Sequence, residues 1–282
     1  MKSLRNSFGS NNADPRNAEG AVIHLGGKRA FVTGGGRGIG RATALLLARA
    51  GASVAVGYVS RRAEAEETTA AVRRSLKDSL SGAGGQAVAI AGDLGDPAAA
   101  QRAVAEAARA LGGLELLIVN HGVWPPDDVP VARMTDAQWA ATQRANLDAV
   151  LYVCRAAIPL LPEGGRIVLV SSTAGQRGEA FHADYAATKG AVIAFTKSLA
   201  VELAPRITVN CVAPGWVDTE MCEVPLSREA GAGRREIEAG IPLRRLASPE
   251  DIAGPIVFLC SELARHITGE VLNVNGGSVL CG

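Results

Sequence analysis

The chain is poor in the features that mark several broad protein classes. Only 4% of it is aromatic, and no apolar run approaches the roughly 18 residues that span a bilayer. The amino terminus lacks the apolar core of a secretion signal, so a cytoplasmic location is expected. Charge of one sign is missing as well. Its 29 basic and 28 acidic side chains leave a formal charge of +1, mixed along the chain, with no field to gather nucleic acid or an anionic membrane. The five cysteines (Cys154, Cys211, Cys222, Cys260 and Cys281) lie far apart, form no CxxC pair and are odd in number. That usage fits free thiols in a reducing compartment, serving as small apolar filler. No residue is assigned to a metal.

Apolar residues are plentiful, at 48% of 282 residues, enough to bury a large core. Residues 1–25, rich in Asn, Ser, Gly and charge without periodicity, read as a flexible extension. From Lys28 onward, short β-branched runs alternate with helical stretches: RAFVT, SVAVGY, QAVAIAG, LELLIVN, RIVLVS, RITVNCV and EVLNV. Such alternation predicts an α/β chain, with a parallel sheet of about seven strands covered by helices on both faces. Helix starts are marked by Asp96-Pro97, by Ser248-Pro249 ahead of Asp251, and by a capping box from Thr135 to Gln138; Gly51 is placed to close the first helix. A single low-complexity patch, Ser81 to Gly85, interrupts the pattern, and no linker divides residues 26–282, which read as one domain.

The first strand runs into Thr33-Gly34-Gly35-Gly36-Arg37-Gly38-Ile39-Gly40, followed by helical apolar spacing in ALLLARA. Glycines there let the backbone turn sharply and approach a pyrophosphate, whose charge rests on the free amides of the helix amino terminus. The predicted fold is thus a single-domain Rossmann-type, doubly wound sheet. An acid about 20 residues further on usually grips the adenosine ribose and selects NAD. Here the second strand ends Tyr58-Val59-Ser60-Arg61-Arg62, with no acid until Glu64. Tyr58, Ser60 and Arg61, aided by Arg37, offer a hydroxyl and cations to a 2′-phosphate, so NADP(H) is expected over NAD(H), with NAD(H) still possible.

After the fifth strand comes Ser171-Ser172-Thr173-Ala174-Gly175, and ten residues past that glycine stands Tyr185-Ala-Ala-Thr-Lys189. Residues four apart share a helical face, so an ammonium sits beside the phenol and is expected to lower its pKa from about 10.

On these motifs the chain resembles the short-chain dehydrogenase/reductase family over residues 28–278, and 3-oxoacyl-(acyl-carrier-protein) reductase-like members in particular. The glycine loop matches through Thr33, Gly34, Gly38 and Gly40, and YxxxK through Tyr185 and Lys189. The resemblance implies that Ser172, thirteen before the tyrosine, is the catalytic serine rather than Ser171, and that Asn146 completes a Ser-Tyr-Lys-Asn proton-transfer system. It implies adenine contacts from Asp93 and Leu94, cofactor contacts from Asn120 and Gly122, and a nicotinamide site at Pro214, Gly215, Val217 and Thr219. Tyr185 would exchange a proton with the substrate oxygen, Lys189 would bind the nicotinamide ribose, and Asn146 would order a water linking Lys189 to solvent.

The implied activity is NADPH-dependent reduction of a ketone or 3-oxoacyl carbonyl to a secondary alcohol, or its reverse, on a small-molecule substrate. An NAD-linked alcohol, sugar or steroid-type dehydrogenase of the same family, or a catalytically silent NADP(H)-binding regulatory protein, are the alternatives. One departure is His121, where the family usually has alanine; it reads as a packed histidine or a substrate contact. Trp124, Phe181 and Trp216 are placed either to line a substrate pocket or to fill core. Substrate choice is expected to lie in Thr219–Leu243, which mixes apolar and charged residues. The helical stretches Ala149–Leu161 and Tyr185–Leu203 are apolar on more than one stripe. In relatives these build a four-helix interface, so a homodimer or homotetramer is implied.

Overall fold

The structure, a computed structural model, describes residues 23–77, 85–227 and 232–281. Residues 1–22 of the expected extension and 81–84 of the glycine-rich patch lie outside the described residues. Leu25, still inside that expected extension, is buried, and its N–H donates to Ala50 O at 2.7 Å. Packing therefore begins slightly ahead of the first strand.

Among the described residues seven strands form one sheet: β1 (Arg29–Thr33), β2 (Ser53–Tyr58), β3 (Ala87–Ala91), β4 (Leu116–Val119), β5 (Gly165–Val170), β6 (Ile207–Pro214) and β7 (Val271–Val274). Their order is β3-β2-β1-β4-β5-β6-β7, and every neighbouring pair is parallel. Each falls on one of the β-branched runs. Alternate residues feed two cores. Phe31, Leu117, Ile167 and Leu169 point to one, while Ala30, Val32, Leu116 and Val168 point to the other.

The helices in chain order are α1 (Gly38–Arg49), α2 (Arg62–Lys77), α3 (Pro97–Leu111), α4 (Asp136–Gln143), α5 (Ala149–Ala157), α6 (Thr173–Arg177), α7 (Ala183–Leu203), α8 (Glu223–Ser227), α9 (Ala232–Gly240) and α10 (Pro249–Leu259). α3, α5 and α7 supply the first core, and α1, α2 and α10 the second. Both faces of the sheet are thus sealed, as an all-parallel sheet requires.

The local signals are realised unevenly. Asp96 caps α3 by accepting from Ala99 N at 2.7 Å, and Ser248 with Asp251 forms a complete capping box. At Thr135 only half of the expected box exists. Thr135 accepts from Gln138 N at 3.1 Å, but the Gln138 amide donates to Asp184 on α7 at 3.2 Å instead of turning back. A tertiary acceptor has outcompeted the local one. Between α4 and α5 the helix passes through a π turn at Arg144–Asp148, an arrangement frequent at functional sites, and Asn146 sits inside it.

Candidate active site

Sequential strands β1 and β2 lie on one side, while β4 continues on the other side of β1, so the connections leave the sheet in opposite directions between β1 and β4. In doubly wound sheets, ligands bind outside the carboxyl ends of the strands at such a switch point. A cavity of about 440 Å³ opens there, within the range of cofactor and ligand sites.

Its phosphate end is built by the turn between β1 and α1. Gly34 and Gly38 adopt φ of +62° and +49°, which favours glycine. α1 has no side-chain cap, because Arg37 occupies the N-cap position without a capping bond. The first amides of α1 are therefore left to an anion. Asn120, at the end of β4, locks this turn by donating from Nδ2 to Thr33 O at 3.3 Å and Gly34 O at 3.2 Å. Thr68 on α2 donates to Gly36 O at 2.9 Å, a support that no sequence pattern announced. Gly34, Gly36, Arg37, Gly38, Ile39 and Asn120 line the cavity, whereas Gly40 does not. Gly40 acts underneath, since a Cβ there would lie 2.7 Å from Asn120 Nδ2 and closer still to Gly34 O.

Tyr58, Ser60, Arg61, Asp93 and Leu94 line the other side of the phosphate end. The arginines are not isolated cations. Arg37 and Arg61 both pair with Glu220, the latter at 3.5 Å, and Arg61 also pairs with Glu64 at 2.7 Å. Asp93 is held by Arg144 at 2.6 Å, which keeps its carboxyl below the usual range. Glu220 escaped the sequence reading because its partner Arg37 is 183 residues away.

At the chemical end, Ser172 is the N-cap of α6 and accepts from Ala174 N at 3.1 Å. Ser171 also lines the cavity, but its hydroxyl is committed to Lys189 O at 2.7 Å. Ser172, Tyr185 and Lys189 all line the cavity; Lys189 Nζ lies 5.7 Å from the Tyr185 ring centroid and donates to Val170 O at 2.9 Å. α6 can approach α7 closely because Gly175 is bare; a Cβ there would lie 2.5 Å from Lys189 C.

The electrostatics correct one expectation. Lys189 does not lower the Tyr185 pKa here. Burial pushes the phenol up to about 12 against the opposing hydrogen bond with Ser172, and burial also brings the Lys189 ammonium down to about 8. Desolvation by burial penalises both charged forms and is the largest influence on each.

Asn146 is fully buried and does not line the cavity. Its Nδ2 donates to Val123 O at 2.8 Å and its Oδ1 accepts from Val123 N at 2.7 Å. Both ends of the amide hold the loop after β4. Gly122 in that loop is wedged between Asn146 Oδ1 and Lys189 Nζ, at 3.2 and 3.4 Å from where a Cβ would stand. His121 is packed and also lines the cavity. Its Nδ1 lies 2.8 Å from Thr33 Oγ1, its Nε2 is buried without a partner, and burial beside Lys189 lowers its pKa to about 3.

Pro214, Gly215, Val217 and Thr219 line the wall after β6. Trp216 joins them, its ring edge-on to Trp124 at 6.4 Å, and Trp124 lies against the His182 ring at 4.3 Å. His182 Nε2 faces Asp128 at 3.2 Å. The two tryptophans line the cavity together with Tyr185, while Phe181 is 52% exposed and outside it.

These residues fit a nicotinamide dinucleotide: a glycine cradle with free amides at one end, arginines beside it, and a Tyr-Lys pair at the other. Comparison with known proteins agrees. A family model described as Enoyl-(Acyl carrier protein) reductase matches residues 34–278. The 3-oxoacyl-[acyl-carrier-protein] reductase of Aquifex aeolicus is 38% identical over 90% of this chain and 98% of its own length. A hydroxynaphthalene reductase-like protein of Metarhizium brunneum is 38% identical over 90% of this chain and 96% of its own. Among solved structures, a short-chain dehydrogenase of Burkholderia cenocepacia in complex with NADP superposes with a TM-score of 0.82 at 36% identity, covering 90% of this chain and 99% of that one. The chain belongs to the short-chain dehydrogenase/reductase family of NAD(P)(H)-dependent oxidoreductases.

Proposed function

We propose that this protein interconverts a ketone or 3-oxoacyl-type carbonyl and the corresponding secondary alcohol, with NADP(H) as its preferred cofactor. The observation that carries this reading is the meeting of Ser172, Tyr185 and Lys189 on one cavity wall that continues into the uncapped start of α1. Gly34, Gly36 and Gly38 with the first amides of α1 would hold the pyrophosphate, Arg37 and Arg61 the 2′-phosphate, and Thr219 and Lys189 the nicotinamide end. When bound, the nicotinamide supplies or accepts the hydride. Ser172 orients the substrate oxygen and stabilises charge developing there. Tyr185, held as a phenol by burial, donates its proton to that oxygen in the reductive direction. Lys189 stands next in line to resupply that proton. With its amide committed to Val123, Asn146 contributes by fixing the loop against which Lys189 rests.

Oxidation of NADPH and of NADH, followed in parallel across β-ketoacyl esters, quinones, cyclic ketones and sugars, tests the reading. Turnover of at least one ketone or β-ketoacyl ester is expected, with kcat/KM for NADPH about tenfold or more above NADH, the scale of a charged hydrogen bond. Silence across the panel points instead to a cofactor-binding regulatory protein. The NAD(H) alternative has one observation in its favour: Glu64 Oε2 is buried without a partner, and Glu64 lines the adenosine end, where a carboxylate suits ribose hydroxyls. Equal efficiency with the two cofactors would favour it.

We also propose a homodimer or homotetramer through α5 and α7, where Leu151 is 41% and Val201 82% exposed. Light scattering at micromolar concentration is expected to give a multiple of the chain mass; a monomer overturns this. Among the described residues no helix is long and apolar enough to cross a membrane.

A further inference from the structure

The phosphate end of the cleft holds more acid than its expected ligand would welcome. Arg37 comes from the turn before α1 and Arg61 from the loop between β2 and α2, and both line the cavity. A single oxygen, Glu220 Oε2, pairs with both of them, at 3.5 Å for Arg61. Glu64 takes the same Arg61 nitrogen at 2.7 Å, and the charge of Glu223 also acts on Arg61. Glu220 immediately follows Thr219 and opens the short turn Glu220–Cys222, whose residues line the cavity. An anionic oxygen shared by two guanidinium groups is the arrangement a phosphate oxygen takes.

We propose that Glu220 is a specificity-determining residue that occupies the arginine pair Arg37–Arg61 as an internal stand-in for the cofactor's 2′-phosphate, so that the phosphate must displace it. This rests on the NADP(H) reading above. The phosphate exchanges one carboxylate partner for a group of higher charge, and that exchange frees Glu220 and with it the turn after Thr219. A cofactor lacking the 2′-phosphate makes no such exchange and leaves the Glu220 pairs in place. Affinity for NADPH is therefore held below what the two arginines would otherwise give, and affinity for NADH is unaffected.

The test is binding by the full-length protein, read from NADPH and NADH fluorescence and, without any nicotinamide, from calorimetric titration with 2′,5′-ADP. The isosteric Glu220→Gln keeps the side chain's size and removes its charge. NADPH and 2′,5′-ADP should bind about threefold to tenfold more tightly to it than to the unmodified protein, the scale of two half-exposed ion pairs, and the gain should shrink at high salt. NADH should bind within about twofold of the unmodified protein. In an Arg37→Ala, Arg61→Ala background the same change should have no effect, because no pair is left to release. Unchanged NADPH affinity in Glu220→Gln overturns the proposal. So does equal weakening of NADPH and NADH, which would make Glu220 a strap across the bound dinucleotide. If the unmodified protein binds NADPH no better than NADH while Glu220→Gln still tightens 2′,5′-ADP, the cofactor preference falls and the role of Glu220 stands.

Discussion

Replacing Tyr185 by phenylalanine should lower kcat by about 10²–10⁴-fold, the usual worth of a positioned proton donor, while NADPH affinity and the thermal midpoint change little. The ring remains on α7, and Lys189 keeps its bond to Val170 O, so the packing that supports the site is untouched. What disappears is the hydroxyl and its hydrogen bond with Ser172. Steady-state kinetics with the best ketone, alongside circular dichroism melting, read both halves of the prediction. Turnover close to that of the unmodified enzyme would remove Tyr185 from the mechanism.

The same residue sets the pH dependence. With its pKa pushed up to about 12, the folded protein keeps Tyr185 as a phenol across the neutral range, ready to donate. Ketone reduction should then vary little with pH below about 8, where Lys189 also keeps its proton. Alcohol oxidation needs the tyrosine as a base, so its kcat/KM should rise as pH increases. A reductive rate that climbs with pH through this range would contradict the assignment.

A valine at Gly40 should be the most damaging change outside the cavity. Gly40 touches no part of the cavity, yet its missing side chain lets α1 settle on the turn after β1. Any Cβ would collide with Gly34 O and stand 2.7 Å from Asn120 Nδ2, breaking the bonds that hold Thr33 O and Gly34 O. Overpacking of this kind costs roughly 1–3 kcal/mol, and because the collision is with backbone the upper end is expected. NADPH affinity should fall by more than about tenfold, since the cradle amides move with the turn. Gly254→Ala in α10 is the control. Beyond its chain neighbours nothing lies within 4 Å of a Cβ there, and with Pro255 next in the helix stability should change by less than about 1 kcal/mol in either direction. Equal effects of the two changes in melting and titration experiments would refute the distinction.

Whatever depended on neighbours in sequence was legible beforehand. Each β-branched run became a strand because burial on both faces needs little more than a short apolar stretch bounded by turns. The glycine loop and the Tyr185–Lys189 spacing were readable for the same reason: a turn and a helix face are local objects. The Tyr185 pKa was not. Spacing shows the ammonium, but the enclosure that outweighs it comes from elements far along the chain. The arginines at the phosphate end looked free because the sequence shows Arg61 beside Arg62 and hides Glu220. Gln138 illustrates the same limit on a smaller scale, a local capping signal diverted by Asp184 on another helix. The Trp124–Trp216 wall also depends on two loops that only the sheet brings together.

The π turn at Arg144–Asp148 sets the phase of everything after it. One extra residue in a helix rotates all that follows by about 100°, the angle between successive residues. With it, Asn146 faces Val123 while Val150, Val153 and Cys154 still face the sheet. A chain that dropped one residue here would regain a regular helix and face a choice: swing those apolar groups into water, or carry Asn146 away from the loop beneath Lys189. Sequence drift in this stretch is therefore free to change side chains on the outer face, but not to change length.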